Sequence, residues 1–328
     1  MDEKLTELLA QYDIEVYRAG RVKGAWIMET DRGLKNLSSC SLSEGKLDMM
    51  QQVKLFVREK GCLYTDLPVA TKEQKFLAQG AYGEMFLLRD WFCGEECDTG
   101  RTDHIVRTVQ ALAELHRCIE GFPVPEDFPC QSKLTEVLDK RNRELRRVRS
   151  YIRSKKQKNS FEQHFLAQFP EQFACAEEAT DMLDEDAYNR YYEKAVSEGC
   201  ITHGNYTHHS VLLLAGNEVA VTGFEKVAAG ICIQDFYLLF RKMLEKWEWD
   251  VSLGDLMLET YERARPIPKE ERNLLRLLLC YPEKFWKVAN QYYNNRKSWI
   301  PEKNMQKLLQ TMEQAERKEL CIRSLFGQ

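Results

Sequence analysis

The character of this chain changes from short strands to helix near Gly94, and that change limits the folds open to it. Before it, EVYRAG, AWIMETD and LKNLSS are short strand-prone runs parted by the turn formers RVKG and DRG. Runs of that length around such turns predict antiparallel strands joined by hairpins. One helical stripe interrupts them between about Ser43 and Lys60, where Leu47, Met50, Val53, Leu55, Phe56 and Val57 repeat at helical spacing before Gly61. Two further strands are expected in LPVATKE and EMFLLRDW, joined through QGAYG. The predicted order is β-β-β-α-β-β, ending at Asp90 and Trp91.

Beyond Gly94 the period is almost wholly helical. Ile105, Val106, Val109, Leu112, Ala113, Leu115 and His116 mark a helix over 104–119, and a Pro-rich connector, FPVPEDFP, leads to another from about Ser132. Helices are expected around 161–169, 172–184 and 186–198, and again over 233–262, 268–293 and 301–323. Between them ITHGNYTHHSVLLLAGNEVAVTGFEK reads as a loop and two short strands around the turn AGNE. The predicted class is therefore α+β and two-lobed. A small β-rich lobe spans 1–92, a hinge falls at 90–95, and a large, mostly helical lobe spans 93–328. The usual ligand site in such a layout is the cleft between lobes.

Composition removes several classes. The 47 Lys and Arg against 51 Asp and Glu leave a net charge of −4, which excludes a globally basic nucleic-acid or membrane binder. No run reaches the ~18–20 apolar residues of a membrane span. The start, MDEKLTELLAQYD, lacks the features of a signal peptide, so cytoplasmic synthesis is expected. Eleven cysteines without a regular framework are expected to be mostly reduced and buried. Cys93 and Cys97 form a lone CxxxC, too little for a zinc site, and no metal site is expected.

The segment HGNYTHHSVLL resembles the catalytic loop of small-molecule kinases related to aminoglycoside and choline phosphotransferases. Together with DWFCGEECD, ALAELHR, DFYLLFRKMLEK and YPEKFWKVANQYYNNRKSW, it makes the chain most similar to the CotS family of bacterial spore coat proteins. The resemblance implies a two-lobed protein-kinase-like fold with a catalytic loop at 203–210. It also implies His-Gly-Asp, an Asn five residues on, a second Asp in the following hairpin, and a lysine on the third strand. Phosphoryl transfer needs those groups for positioning and electrostatics: a carboxylate for the attacking hydroxyl, hard oxygens for Mg²⁺, and a cation for the phosphates.

Each of those positions departs from the pattern. Asn205 replaces the first Asp and cannot serve as a carboxylate base. Ser210 replaces the metal-binding Asn, and Gly223 replaces the second Asp. Glu225, two residues on and on the same face if the strand continues, is the candidate substitute ligand. Ser38 stands where the lysine belongs; Lys35, an odd three residues away, should face the other side of its strand. His203 and Gly204 match the start of the loop, and Asp235 matches an acid that braces it in this fold. Asp90 and Trp91 are the candidate adenine-holding hinge residues. The resemblance thus implies a degenerate phosphotransferase, a pseudokinase without intact catalytic residues, metal or cofactor. Its destination would be the spore coat and its partners other coat proteins. The alternatives are an active small-molecule or protein phosphotransferase with atypical metal ligation, and a nucleotide-binding, non-hydrolysing switch.

Ten Lys and Arg lie between Lys140 and Lys158. The stretch is either a solvated helix face or a dock for a polyanion, whether an acidic coat partner, a phosphorylated protein or nucleic acid, although no nucleic-acid motif accompanies it. The adjacent His208 and His209 are expected to be structural or solvent-facing. Phe285, Trp286, Tyr292, Tyr293 and Trp299 are expected to pack between terminal helices.

Overall fold

The computed structural model describes residues 3–61, 63–294 and 301–327. The chain forms two compact units, each assembled from separate segments. The first comprises Met1–Pro129, Gly199–Ala229 and Arg263–Arg265; the second comprises Cys130–Glu198, Gly230–Glu262 and Pro266–Gln328.

In the first unit, β1 (Val16–Val22), β2 (Ala25–Thr30) and β3 (Gly33–Ser39) follow one another around the two predicted turns, and α2 (Glu44–Glu59) follows them. Ser43 caps α2 by accepting from the Lys46 amide. With β5 (Leu77–Gln79) and β6 (Met85–Asp90) the strands make an antiparallel sheet in the order β1-β2-β3-β6-β5.

Two expectations fail here. LPVATKE is not a strand: Pro68 makes only an isolated bridge to Arg89, and strand pairing begins again at Leu77. Proline has no amide proton to give to a ladder. The N-terminus also forms a helix, α1 (Glu3–Leu9), where only strands and a single helix are expected. Its Leu5, Leu8 and Leu9 pack with Tyr12 against Met28, Leu37, Ala78 and Leu88 of the sheet. Seven residues are too few for a stable helix in water, so this packing holds it.

Because sheet side chains alternate, Lys35, Leu37, Leu88 and Asp90 share the face under α1, and Asn36, Ser38, Leu87 and Arg89 share the other. A second sheet in the same unit has the order β4-β10-β9-β7. Its members are β4 (Tyr64–Thr65), β7 (Gly94–Glu96), β9 (Val211–Leu214) and β10 (Val219–Val221). The predicted hairpin of 211–221 is thus held on both edges: β7 by β9, and β4, in parallel, by β10. The small pair β8 (Ile201–Thr202) and β11 (Ala228–Ala229) closes the loop region, and α3 (Thr102–Ile119) covers the hairpin.

The second unit is helical: α4 (Leu134–Ser154), α5 (Ser160–Asp181), α6 (Glu185–Ser197), α7 (Ile233–Lys246), α8 (Val251–Ala264), α9 (Lys269–Cys280), α10 (Glu283–Asn294), α11 (Pro301–Glu313) and α12 (Ala315–Phe326). The helices expected at 161–169 and 172–184 are one, α5, with Pro170 inside it. Phe161, Phe165, Phe169 and Ala176 form a continuous buried stripe through the proline, and that burial offsets the missing hydrogen bond. Conversely, 233–262 divides into α7 and α8, 268–293 into α9 and α10, and 301–323 into α11 and α12.

Of the aromatic cluster, Phe285 is buried and stacks on Phe165 with centroids 4.9 Å apart, and Tyr292 lies 5.0 Å from Phe161, whereas Tyr293 is exposed. Trp299 and Cys62 fall outside the described residues. The ten described cysteines are free thiols, but fewer are buried than expected: Cys97, Cys118, Cys232 and Cys321. Cys93 is exposed while Cys97 is buried, so the two thiols of the CxxxC do not share an environment.

Candidate functional site

The loop after β8 is anchored by His203. Its ring is fully buried, 4.8 Å from Phe224 and 5.5 Å from Tyr206. Nε2 lies 2.9 Å from the Thr222 carbonyl and Nδ1 accepts from the Asn205 amide, which assigns the Nε2–H tautomer. Gly204 follows in a left-handed conformation, φ +76°. A Cβ there would come within 2.0 Å of the Lys226 carbonyl oxygen, so only glycine fits.

The residues expected to have replaced the catalytic set come together in space. Asn205 is exposed. The Ser210 hydroxyl accepts from the Thr207 amide and donates to the Asn205 carbonyl, which commits it to the loop's own turn. Gly223 has φ +85°, and a Cβ on it would lie 3.6 Å from Glu225 Oε2, 3.9 Å from the His203 ring and 3.9 Å from Ser210 Oγ. Glu225 is not on a continued strand as expected. β10 ends at Val221, Gly223 turns the backbone, and Phe224–Lys226 is a single 3₁₀ turn. That turn still brings the carboxylate beside Gly223.

Glu225 pairs with the chain's own arginine: its Oε1 lies 3.4 Å from Nη1 of Arg89 on β6. The same Nη1 is 3.2 Å from Asp66 Oδ2, and Asp66 Oδ1 is 2.7 Å from Lys54 Nζ on α2. Lys54 and Asp66 are both buried, 1% and 0% exposed. Arg89 Nη2 lies 3.2 Å from Ser38 Oγ and 3.4 Å from Asn36 Oδ1. Two carboxylates therefore do converge on one point, but a guanidinium of the chain stands there. Lys35 is on the other face, with its ammonium 3.1 Å from Asp90 Oδ1 and bonded to the Arg32 carbonyl.

Lys54, Asp66 and Arg89 escaped the reading of the sequence, although signals exist. Lys54 falls on the core stripe of α2, in register with Leu47, Met50 and Val57. Arg89 shares the inward face of its strand with buried Leu87. A charge on an otherwise apolar face asks for a buried partner.

Magnesium requires near-octahedral oxygen donors at about 2.0–2.1 Å. An exposed amide, a hydroxyl already committed, a glycine and a carboxylate paired with arginine do not make that set. The residues present do not fit a metal-bound nucleotide. Of the hinge candidates, Asp90 points its carboxylate at Lys35 and Arg58, and the Trp91 amide donates to the Leu34 carbonyl. Asp235 is buried in the first turn of α7, where the helix N-terminus favours a carboxylate. His209 faces Glu96, with Nδ1 3.4 Å from Oε2, and its ring centroid lies 3.9 Å from that of His208.

The basic stretch divides by face. Arg141 pairs with Glu283 and lies over Trp286, Arg149 lies over Phe169, Arg146 pairs with Glu177, and Lys155 binds Glu162. Arg141 and Lys155 pair with buried carboxylates of the helical unit, whereas Arg146 and Glu177 pair at its surface. Lys140, Arg143, Arg147 and Arg153 lie on the exposed side of α4, where Arg143 pairs with exposed Asp139, and Lys156 is exposed just beyond the helix.

A β-sheet unit that carries this loop and hairpin, together with a helical unit, makes the protein-kinase-like fold of aminoglycoside phosphotransferases. The solved structures agree. An aminoglycoside phosphotransferase from Alicyclobacillus acidocaldarius is similar over 98% of this chain and 94% of its own, with TM-score 0.85 and 20% identity. The AMP-bound spectinomycin phosphotransferase is similar over 97% of each chain, with TM-score 0.68 and 11% identity. Choline kinase from Cryptosporidium parvum is similar over 95% of this chain and 90% of its own, with TM-score 0.54 and 10% identity. At such identities the likeness establishes the fold alone.

Within that class the chain belongs to the family described as spore coat putative kinase YutH, which matches residues 6–325. The spore-coat resemblance is thus placed in the YutH family, where the sequence resemblance points to CotS. No described helix is long and apolar enough to cross a membrane.

Proposed function

We propose that this chain is a non-catalytic, kinase-like structural component of the spore coat, of the kind the CotS resemblance implies. One observation carries the reading. Arg89 lies against Ser38, in the place of the phosphate-binding lysine, and pairs with Glu225, the acid nearest the place of the metal-binding aspartate. A cation of the chain thereby stands where lysine, metal and phosphate would have to meet. The loop around it keeps its braces, the buried His203 and the close packing of Gly204, and these serve folding rather than turnover.

The test is direct. Purified protein with Mg–ATP and a panel of small hydroxylated and peptide acceptors should transfer no phosphoryl group above background. Robust turnover by the unchanged chain would overturn the reading. One observation favours the rival, an active phosphotransferase with atypical ligation: Asp66 and Glu225 do approach a common point. In that case turnover should vanish in Glu225→Gln while the fold persists.

Deposition on the coat requires protein contacts, and the exposed face of α4 at Lys140, Arg143 and Arg147 suits an acidic coat protein. That partner belongs to the same proposal.

A further inference from the structure

The mismatch between this site and a metal-bound nucleotide has a structural counterpart. We infer that Arg89 is a built-in counter-cation that occupies the Asp66–Glu225 acid pair and ties the loop and hairpin of 203–225 to the sheet without metal or nucleotide. The inference rests on the non-catalytic reading above and deepens it, assigning to one residue what a bound ligand supplies in a catalytic site.

The geometry is specific. One nitrogen, Arg89 Nη1, bridges Asp66 beside α2 and Glu225 after the hairpin, while Nη2 reaches Ser38 on β3. Three segments distant in sequence thus meet on one guanidinium. Asp66 is held from the other side by Lys54, whose ammonium also lies 5.4 Å from the Phe224 ring, next to Glu225. Two cations and two carboxylates balance, so no net charge is left in a largely buried place. Arginine suits the position because its planar fork is charged at any working pH and can serve several acceptors at once.

Removal of the guanidinium would leave two carboxylates around a vacated cation position. The Nη1 position lies 3.2 Å from one and 3.4 Å from the other. Calcium bonds to oxygen at about 2.3–2.6 Å and magnesium at about 2.0–2.1 Å, so either ion requires a shift of roughly 1 Å. Glu225, whose side chain is 43% exposed, has the freedom to make it. Calcium, with longer bonds and looser geometry, should fit better than magnesium.

The experiment uses the full chain and reads the melting midpoint with CaCl₂, with MgCl₂, and with NaCl at matched ionic strength. The unchanged protein should not respond to divalent ions beyond the NaCl control. Arg89→Gln should melt several degrees lower and regain much of that loss in CaCl₂, less in MgCl₂ and none in NaCl. Arg89→Gln combined with Glu225→Gln should lose the regain. An Arg89→Gln protein that gains nothing from either divalent ion, or a double variant that gains as much as the single one, overturns the inference.

Should Arg89→Gln fail to fold, Glu225→Gln alone decides by hydrogen exchange. Exchange should quicken across 203–225 and stay unchanged in α4; unchanged protection across 203–225 overturns the tie. Failure of either kind leaves the non-catalytic reading standing, whereas turnover by the unchanged chain removes that reading independently.

Discussion

At the scale of single residues, Gly204 and Arg89 separate what folding needs from what catalysis would need. Gly204 has a positive φ, and its Cα faces the Lys226 carbonyl too closely for any side chain. Gly204→Ala should therefore cost about 2–4 kcal/mol, from backbone strain and the forced shift of β11's approach. Urea denaturation measures it, and a loss under ~0.5 kcal/mol would contradict the close approach. Arg89 changes what restoring the kinase residues should do. Ser38→Lys places a second cation beside the guanidinium, 3.2 Å from the present hydroxyl, so alone it should destabilise rather than activate. Gly223→Asp adds a strained left-handed residue, at about 1 kcal/mol, next to Glu225. Turnover should need Asn205→Asp, Ser210→Asn, Gly223→Asp and Ser38→Lys together with the loss of Arg89. Such groups act as a unit, so partial sets should stay inactive in a phosphoryl-transfer assay.

At the scale of elements, α4 carries two kinds of positive charge that one count of lysines and arginines merges. Arg141 faces Glu283 at the start of α10, which is buried together with Arg241 and Tyr237. Burial alone would raise the Glu283 carboxyl, but Arg241, Arg141 and Lys287 outweigh it and hold that carboxyl well below the usual carboxylate range. Its folded value is thus depressed below the unfolded one, at about 4.3. The stability it contributes is present above that pH and is lost as pH falls toward the folded value. Unfolding midpoints should drop steeply below about pH 5, and Glu283→Gln should be less stable at neutral pH with a shallower acid limb. Parallel acid limbs would rule out this source. By contrast, reversing Lys140, Arg143 and Arg147 to Glu should leave stability within about 0.5 kcal/mol. In the coat it should weaken incorporation and make residual binding less sensitive to salt. Unchanged incorporation would return α4 to an ordinary solvated face.

At the scale of the whole molecule, on the proposed reading, a kinase-like fold is kept while the electrostatic role of a ligand is taken over by Arg89. Thermal-shift measurements with ATP, with and without Mg²⁺, test that statement for the entire chain. No stabilisation beyond a matched-salt control is expected, because a ligand stabilises only in proportion to its occupancy of the native state. Equal stabilisation with and without metal would instead point to the nucleotide-binding switch. Stabilisation that requires Mg²⁺ would revive the enzyme.

What the residues determined by themselves is local chemistry and period. The short runs before Gly94 and the turns between them are enough to specify β1 to β3 and their antiparallel order. The spacing in HGNYTHHS is enough to find the loop, with Asn205 and Ser210 in it. That Lys35 and Ser38 face opposite ways also follows from the period of two alone. Other features were decided only in three dimensions. Helix α1 exists because the sheet offers its leucines a surface, and LPVATKE meets β6 only at the Pro68–Arg89 bridge, because β5 pairs with the rest of that edge. Helix α5 runs through Pro170 because its aromatic stripe is buried on both sides of the break. The union of Ser38, Asp66, Arg89 and Glu225 joins residues up to 187 positions apart, from 38 to 225, and no local pattern encodes it. The physical reason is the same in each case. Period and propensity act between near neighbours, whereas a buried charge is settled by whatever opposite charge the fold brings within reach.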